Sequence, residues 1–274
     1  MMKLNRDNYF SKEAESIYMG SSSFKAWDIF HDGCEAKQLA IHNGEWKDKS
    51  SDALLLGSFV HSWNENGLDK FKANHPEMYS SRGATKGELK REYAIGERMI
   101  ETLANDSLVQ KFRSTAEMEQ IFTGVIGGVN FKIQVDILNI KKGYFADLKT
   151  TRNLSETYYN PNTKQRESFI DKYDYKLQIA LYAEILRQNL GTDTYLEPYL
   201  IVVDKQEVPD HVVIDMGTSF IERKIEEIED RLPRIMAVRN GLEEPISCGK
   251  CEYCRSKKKA EIITLNQYKE SLGI

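Results

Sequence analysis

The stretch from Phe131 to Thr151, FKIQVDILNIKKGYFADLKTT, constrains the fold of this chain more than any other. It holds two apolar segments rich in β-branched and aromatic residues, broken at Lys141-Lys142-Gly143, and so predicts a hairpin of two antiparallel strands. Asp136 lies on the first segment and Asp147 on the second, with Lys149 two residues further on. Strand side chains repeat with a period of two, so Asp147 and Lys149 share a face. Tyr144, Phe145, Ala146 and Leu148 are apolar, which implies a strand buried on both sides whose charges require partners or a metal. Two carboxylates and an amine converging at adjacent strand ends can hold a divalent cation and activate a water against a phosphodiester.

At 274 residues, with no evident linker, repeat or low-complexity segment, the sequence reads as one domain over 1–274. Tyr158 to Glu167 (YYNPNTKQRE) reads as a mobile loop. No apolar run approaches the length needed to cross a bilayer, and MMKLNRDNYF contains no apolar core of the signal-peptide kind, so a cytoplasmic protein without a membrane partner is expected. The net charge of −4 argues against a surface that coats nucleic acid as a whole, while leaving room for a locally basic cleft. Lys86, Lys90, Arg91, Lys164, Arg166 and the Lys257-Lys258-Lys259 run are the candidate contacts.

In chain order, Ser21-Ser22-Ser23 offers an N-cap to an N-terminal helix over about 21–40, whose apolar series is Phe24, Trp27, Ile29 and Phe30. Helices follow over Ala53 to Asn64 and from about Lys86 to Ala104. The period then changes to two: Met118 to Val125, a Gly127-Gly128 turn, Val129 to Asn139 and Tyr144 to Thr150 form a meander. A helix over Tyr173 to Asn189, strands over Tyr195 to Val203 and His211 to Asp215, and a helix from Ser219 to Asn240 interrupted by Pro233 complete the series. A mixed central β-sheet flanked by helices, an α/β fold, is the simplest packing of this order.

The four cysteines can be read together as one site. Cys248, Cys251 and Cys254 form Cys-x-x-Cys-x-x-Cys, and Cys34 ends the N-terminal apolar series. Disulfides are disfavoured in a cytoplasmic chain, so a metal centre joining the N-terminal helix to the 248–254 segment is expected, with structural Zn²⁺ and a [4Fe–4S] cluster both open by spacing.

Gly57-Ser-Phe-Val-His61, the Asp136 strand, Asp147-Leu148-Lys149 and Gln178-Ile-Ala-Leu-Tyr182 occur in the order and rough spacing of a known superfamily along most of the chain. The sequence resembles the PD-(D/E)XK nucleases, in the RecB-like branch with the CRISPR-adaptation exonucleases and the phage RecE-type exonucleases. Val135 stands where the superfamily's name has proline, a position that varies widely within it. The resemblance implies a restriction-endonuclease-like core with Asp136 and Asp147 as metal-binding carboxylates. It also implies His61 as an added ligand, the Leu148 carbonyl completing the shell, and Glu119, preferred over Glu117, near the metal. Lys149 would orient or deprotonate the attacking water, and Gln178 and Tyr182, at i and i+4, would position DNA. Mg²⁺ is the implied ion and Mn²⁺ an alternative.

For the cysteines the resemblance favours iron–sulfur, because the CRISPR-adaptation and AddB nucleases join one N-terminal cysteine to three C-terminal ones around such a cluster. The last interval is shorter here, so zinc, or a three-cysteine site without Cys34, stays open. The activity implied is a Mg²⁺-dependent exonuclease that digests linear duplex DNA 5′ to 3′ and leaves 3′ overhangs for a single-strand annealing partner, working as a homo-oligomer. The alternatives are a CRISPR-adaptation-like nuclease that trims DNA ends, and a catalytically silent DNA-binding module.

Overall fold

Glu117–Ile126 (β1) and Val129–Asn139 (β2) pair antiparallel about the Gly127-Gly128 turn. Tyr144–Thr151 (β3) returns antiparallel to β2 after a short 3₁₀ turn, where Gly143 takes the left-handed conformation at φ 74°. Glu197–Asp204 (β6) lies parallel to β3, and His211–Asp215 (β7) pairs antiparallel with β6. The result is a five-stranded mixed sheet of order β1-β2-β3-β6-β7. The computed structural model describes residues 2–48, 52–161 and 163–271, without the side chains of residues 52 and 53. Among them two compact units are distinguished: Met1–Ser23 with Lys49–Leu232, and Phe24–Asp48 with Pro233–Ile274.

In the first unit, helices cover both faces of the sheet. On one face Leu56, Phe59 and Val60 of the Asp52–Asn64 helix and Met99 and Leu103 of the Arg91–Asn105 helix pack with Ile137, Ala146, Leu148 and Ile201. Gly96 permits this helix contact, because a Cβ there would lie 2.7 Å from side-chain carbons of both Leu56 and Phe59. The other face is covered by the Tyr175–Leu190 helix, which is capped by Asp174, whose Oδ1 accepts the Leu177 amide at 3.1 Å, and by Gly191 in the left-handed region. Packing on both faces explains why the central strands are largely buried, and their charges, Lys132, Asp136, Asp147 and Lys149, all line one cavity.

The sheet splits where the site forms. β2 pairs with β3 only over 137–139, and over 130–132 its partner on that side is Met19, which accepts from Lys132 and donates to Asn130. Asp136 and Asp147 stand just past the last β2–β3 pair, where the strands part.

Several sequence expectations are corrected. The segment 158–167 is a hairpin, with Tyr158–Asn160 (β4) pairing antiparallel to Gln165–Glu167 (β5); Asn162 lies outside the described residues. The long charged helix begins at Arg91, since Lys90 is its extended N-cap. The Ile221–Arg239 helix runs through Pro233, which forfeits one backbone hydrogen bond while Ile228, Leu232, Ile235 and Val238 stay buried.

The second unit holds a further correction. The expected single helix over 21–40 is a helix Ser21–Trp27, a 3₁₀ turn Ile29–His31 and a helix Glu35–His42. Asp28 breaks the helix by accepting the Phe30 amide at 3.1 Å, and Gly33 folds so closely back that a Cβ would lie 2.5 Å from the Asp28 carbonyl. Phe30 is therefore 75% exposed instead of continuing an apolar face. Buried Glu35 accepts two bonds from the Arg234 guanidinium, at 2.9 and 2.7 Å, and one from the Ile246 amide at 2.7 Å, tying the two segments of this unit together. No helix among the described residues is long and apolar enough to cross a membrane.

Candidate active site

The parting of β2 and β3 brings Asp136, Asp147 and Lys149 to one cavity of about 1230 Å³, which His61 of the Asp52–Asn64 helix and Gln178 and Tyr182 of the Tyr175–Leu190 helix also line. All of these belong to the first unit. Asp136 is 6% exposed; its Oδ2 accepts the Leu148 amide at 2.7 Å and lies 3.5 Å from His61 Nδ1. Burial works to raise this carboxyl, but the His61 imidazole and the Lys149 ammonium outweigh it and hold it below the usual carboxylate range. Burial likewise works against charge on His61, yet Asp136 lifts the imidazole to about 9.

Asp147 is 2% exposed, and its Oδ1 accepts from Gln178 Nε2 at 2.7 Å. Its Oδ2 lies 2.7 Å from Lys149 Nζ, a buried ion pair. Burial raises the Asp147 carboxyl against the pull of Lys149. For Lys149 the balance is reversed: burial works to lower it, and Asp147 together with Asp136 holds it above the ordinary lysine value. The Tyr182 phenol is raised well above its ordinary value by burial, then by Asp147, and so keeps its proton.

Glu119 is buried where Glu117 is exposed, although a strict period of two would put both on one face. Its backbone is left-handed at φ 54°, which departs from regular strand geometry, while the flanking pairs Met118–Ile137 and Gln120–Val135 bracket it opposite Asp136. Burial, with Asp136 nearby, pushes its carboxyl up to about 8. Donor atoms of His61, Glu119 and Asp136 lie within 4.8 Å of one another. This group of oxygen and imidazole donors fits a hard divalent cation such as Mg²⁺, or Mn²⁺, while Asp147, paired with Lys149, is not among the three. At Leu148, whose carbonyl the sequence reading assigns to the shell, the amide donates to Asp136 and the side chain is buried in the opposite face.

Sequence reasoning missed the supports. Asn64, fully buried one turn beyond His61, donates from Nδ2 to Glu119 Oε1 at 3.1 Å and to the Asp136 carbonyl at 3.0 Å. Arg113 stacks 3.8 Å from the Trp63 ring and donates to Asn64 Oδ1 at 3.2 Å. Gln134 Nε2 donates to Glu119 Oε2 at 2.7 Å. The available signals were the i+3 spacing from His61 and the i−2 spacing from Asp136. The basic contacts also differ from those expected: the cavity is lined by Arg6, Lys70, Lys132, Arg152 and Lys205 and by none of the sequence candidates.

Cys34, Cys248, Cys251 and Cys254 meet within the second unit, their sulfurs all within 4.8 Å of one another. Burial pushes the Cys34 thiol up to about 12. At Cys248 burial acts the same way, but the Cys251 and Lys250 amides outweigh it and hold the thiol at about 6. Four thiols suit zinc or an iron–sulfur cluster. The contacts of 3.5 Å from Cys34 to Cys254 and 3.9 Å from Cys248 to Cys254 match the tetrahedral edge around one ion, roughly 3.8 Å for metal–sulfur bonds of about 2.3 Å. A four-iron cluster would require the thiols to stand farther apart.

Residues 20–257 match a family model described as "PDDEXK-like domain of unknown function (DUF3799)". Among solved structures, a crystal structure described as "Putative exonuclease" from Eubacterium rectale is similar along 100% of both chains, with 30% identity and a TM-score of 0.89. A second, the crystal structure of SSO0001, is 14% identical over 86% of this chain and 100% of the other, with a TM-score of 0.32, too low to bear on the fold. No curated protein matches.

Proposed function

The chain belongs to the PDDEXK-like DUF3799 family, and from that premise we propose that it is a divalent-metal-dependent exonuclease acting on the phosphodiester bonds of linear duplex DNA. The observation that carries this reading is the cavity itself, which Asp136, Asp147, Lys149 and His61 line together. The Eubacterium rectale structure, described as a "Putative exonuclease", supports the same class of activity.

Asp136, Asp147, His61 and Glu119 would hold the cation, with the Leu148 carbonyl as a further oxygen donor. When bound, Mg²⁺ supplies charge neutralisation at the phosphodiester and lowers the pKa of water. Gln178 fixes the rotamer of Asp147 through its 2.7 Å bond, and the Leu148 amide does the same for Asp136. Lys149, held as an ammonium by the two carboxylates, orients the attacking water and steadies charge developing on the phosphoryl oxygens; an amine kept protonated is poorly suited to deprotonate water. Tyr182, likewise protonated, can donate to a phosphate oxygen or a bridging water.

Digestion 5′ to 3′ and supply of 3′ overhangs to an annealing protein in phage-type recombination complete the proposal; both follow from the RecE-type resemblance. The four-cysteine set favours a second reading, a CRISPR-adaptation-like end-trimming nuclease. For its metal the resemblance favours [4Fe–4S] and the sulfur spacing favours Zn²⁺. A silent DNA-binding module is disfavoured, because the two buried carboxylates would only repel phosphate.

The test is incubation of linear duplex, labelled at one or the other end, with Mg²⁺ and with Asp147→Ala as control. Progressive loss from the 5′ ends by the wild type alone is expected. An intact duplex with either Mg²⁺ or Mn²⁺ would remove both nuclease readings.

A further inference from the structure

Three tyrosines lead through the cavity towards Lys149. Tyr158 on β4, Tyr173 and Tyr175 all line it. Their centroids are 6.1 Å apart from Tyr158 to Tyr173 and 6.0 Å from Tyr173 to Tyr175, and Lys149 Nζ lies 4.9 Å from the Tyr175 ring centre. Successive interplanar angles of 66° and 40° mean that the rings do not stack on one another. Tyr173 remains 49% exposed, whereas Tyr175 is partly buried and braced edge-on by buried Phe169.

The backbone around these rings is fixed. Arg166 on β5 donates from Nη2 to the Thr157 carbonyl at 3.0 Å, which holds the β4–β5 hairpin beneath Tyr158. Arg152 and Lys205 line the same cavity, and they are linked through the backbone: the Lys205 amide donates to the Thr151 carbonyl at 3.0 Å and Gln206 Nε2 to the Arg152 carbonyl at 2.8 Å. Aromatic rings and cations lining one cleft suit a nucleic-acid strand whose bases are free to stack on side chains. Bases inside a duplex already stack on each other and offer the tyrosines no face.

We infer that Tyr158, Tyr173 and Tyr175 form a base-stacking path that delivers one unpaired DNA strand to the Lys149 end of the cavity, with Arg152 and Lys205 on its phosphates. The inference rests on the nuclease reading and narrows its substrate: the strand that reaches Lys149 is single. Stacking is tolerant of sequence because every base has a π-face, so the path carries no sequence preference.

The test is the binding of a short oligothymidylate and of an abasic strand of equal length, by fluorescence anisotropy with Ca²⁺ in place of Mg²⁺. The wild type should bind the strand with bases roughly ten-fold tighter than the abasic one. Tyr173→Ala should lose most of that difference while keeping its affinity for the abasic strand, and Tyr173→Phe should restore it. Equal binding of both strands by the wild type, or equal weakening of both by Tyr173→Ala, would overturn the path. Should Tyr173→Ala melt early, Tyr158→Leu takes its place with the same two outcomes. Discrimination between the strands without cleavage in Mg²⁺ would keep the path and remove the nuclease reading, whereas cleavage without discrimination would do the reverse.

Discussion

Asp136 and Leu148 are joined across the split in the sheet: the Asp136 carboxylate accepts the Leu148 amide at 2.7 Å just past the point where β2 and β3 stop pairing. The carboxylate thus replaces a strand partner for that amide and keeps an anion buried at the fork. Its two roles can be separated. Asp136→Asn retains an acceptor for Leu148 and should fold, with activity lower by at least roughly 100-fold, beyond the range for losing a residue that only supports a metal ligand. Asp136→Ala leaves the amide buried without an acceptor and should cost a further ~1–3 kcal/mol of stability. Melting curves and nuclease rates on both variants check this; equal melting would show that the amide bond contributes nothing.

Gln178 anchors Asp147 through a single charge-assisted bond of 2.7 Å. Gln178→Leu preserves helix packing but frees the carboxylate to rotate, and activity should fall roughly 10- to 100-fold with little change in melting temperature. A rate within two-fold of the wild type would mean that Lys149 alone suffices to hold Asp147.

Asn64 shows what the sequence could not disclose. The hairpin and the placement of Asp147 and Lys149 on one face were legible from the break at Lys141-Lys142-Gly143 and the two-residue repeat of strand side chains, and the buried centre of the sheet from the apolar residues flanking the charges. Asn64 bonds to Glu119 on β1 and to the Asp136 carbonyl on β2, contacts that exist only once helix and sheet are packed. A polar residue on a buried helix face looks the same in sequence whether it meets solvent or a carboxylate. Glu119 was ambiguous for a related reason, since its left-handed φ breaks the alternation that equates it with Glu117. The β4–β5 hairpin is invisible in the sequence because strands of three residues leave no measurable period. Phe30, part of the apolar series assigned to one helix over 21–40, is exposed because an Asp28 cap and a Gly33 close approach end that helix before it.

Asn64→Leu should therefore harm both stability and activity. It leaves Glu119 with one donor fewer and the Arg113 guanidinium without its Oδ1 acceptor, all in a buried environment. The expected loss is ~1–3 kcal/mol by denaturant titration. Arg113→Lys should show a smaller effect in the same direction, since a lysine keeps the charge but not the stacked fork over Trp63. An Asn64→Leu protein as stable as the wild type would exclude the network as a support.

The pH dependence of the metal-free protein follows from His61. Its folded value of about 9 lies above the ordinary 6.5, so the folded state holds a proton that the unfolded chain releases. The stabilisation is fully present below about 6.5 and is lost as pH rises through 9. Glu119, raised to about 8 from 4.5, acts in the same sense, since deprotonation above the unfolded value disfavours the folded state. Without divalent ions the melting temperature should fall between pH 6.5 and 9, and His61→Ala should flatten that slope. Added Mg²⁺ should raise stability most at the upper end of the window, because a ligating imidazole must be neutral. A slope unchanged by His61→Ala would place the titration elsewhere.

The cysteine centre should behave as a support for the second unit. Cys34 comes from the 24–48 segment and the other three thiols from the segment after residue 233, so a shared metal closes a long loop and restricts the unfolded chain. Anaerobically purified protein should carry either one zinc per chain or four irons with matching acid-labile sulfide, measured by metal analysis and by visible absorption. Cys254→Ser removes the sulfur that approaches both Cys34 and Cys248, at 3.5 and 3.9 Å, and should lose the metal. Its melting temperature should drop by several degrees, while activity per folded molecule at low temperature stays within about two-fold, because Cys34 and the three later cysteines lie outside the unit that holds Asp136 and Asp147. Metal-free wild type, or a Cys254→Ser protein that melts with the wild type, would reduce the four thiols to a packed cluster with no structural ion.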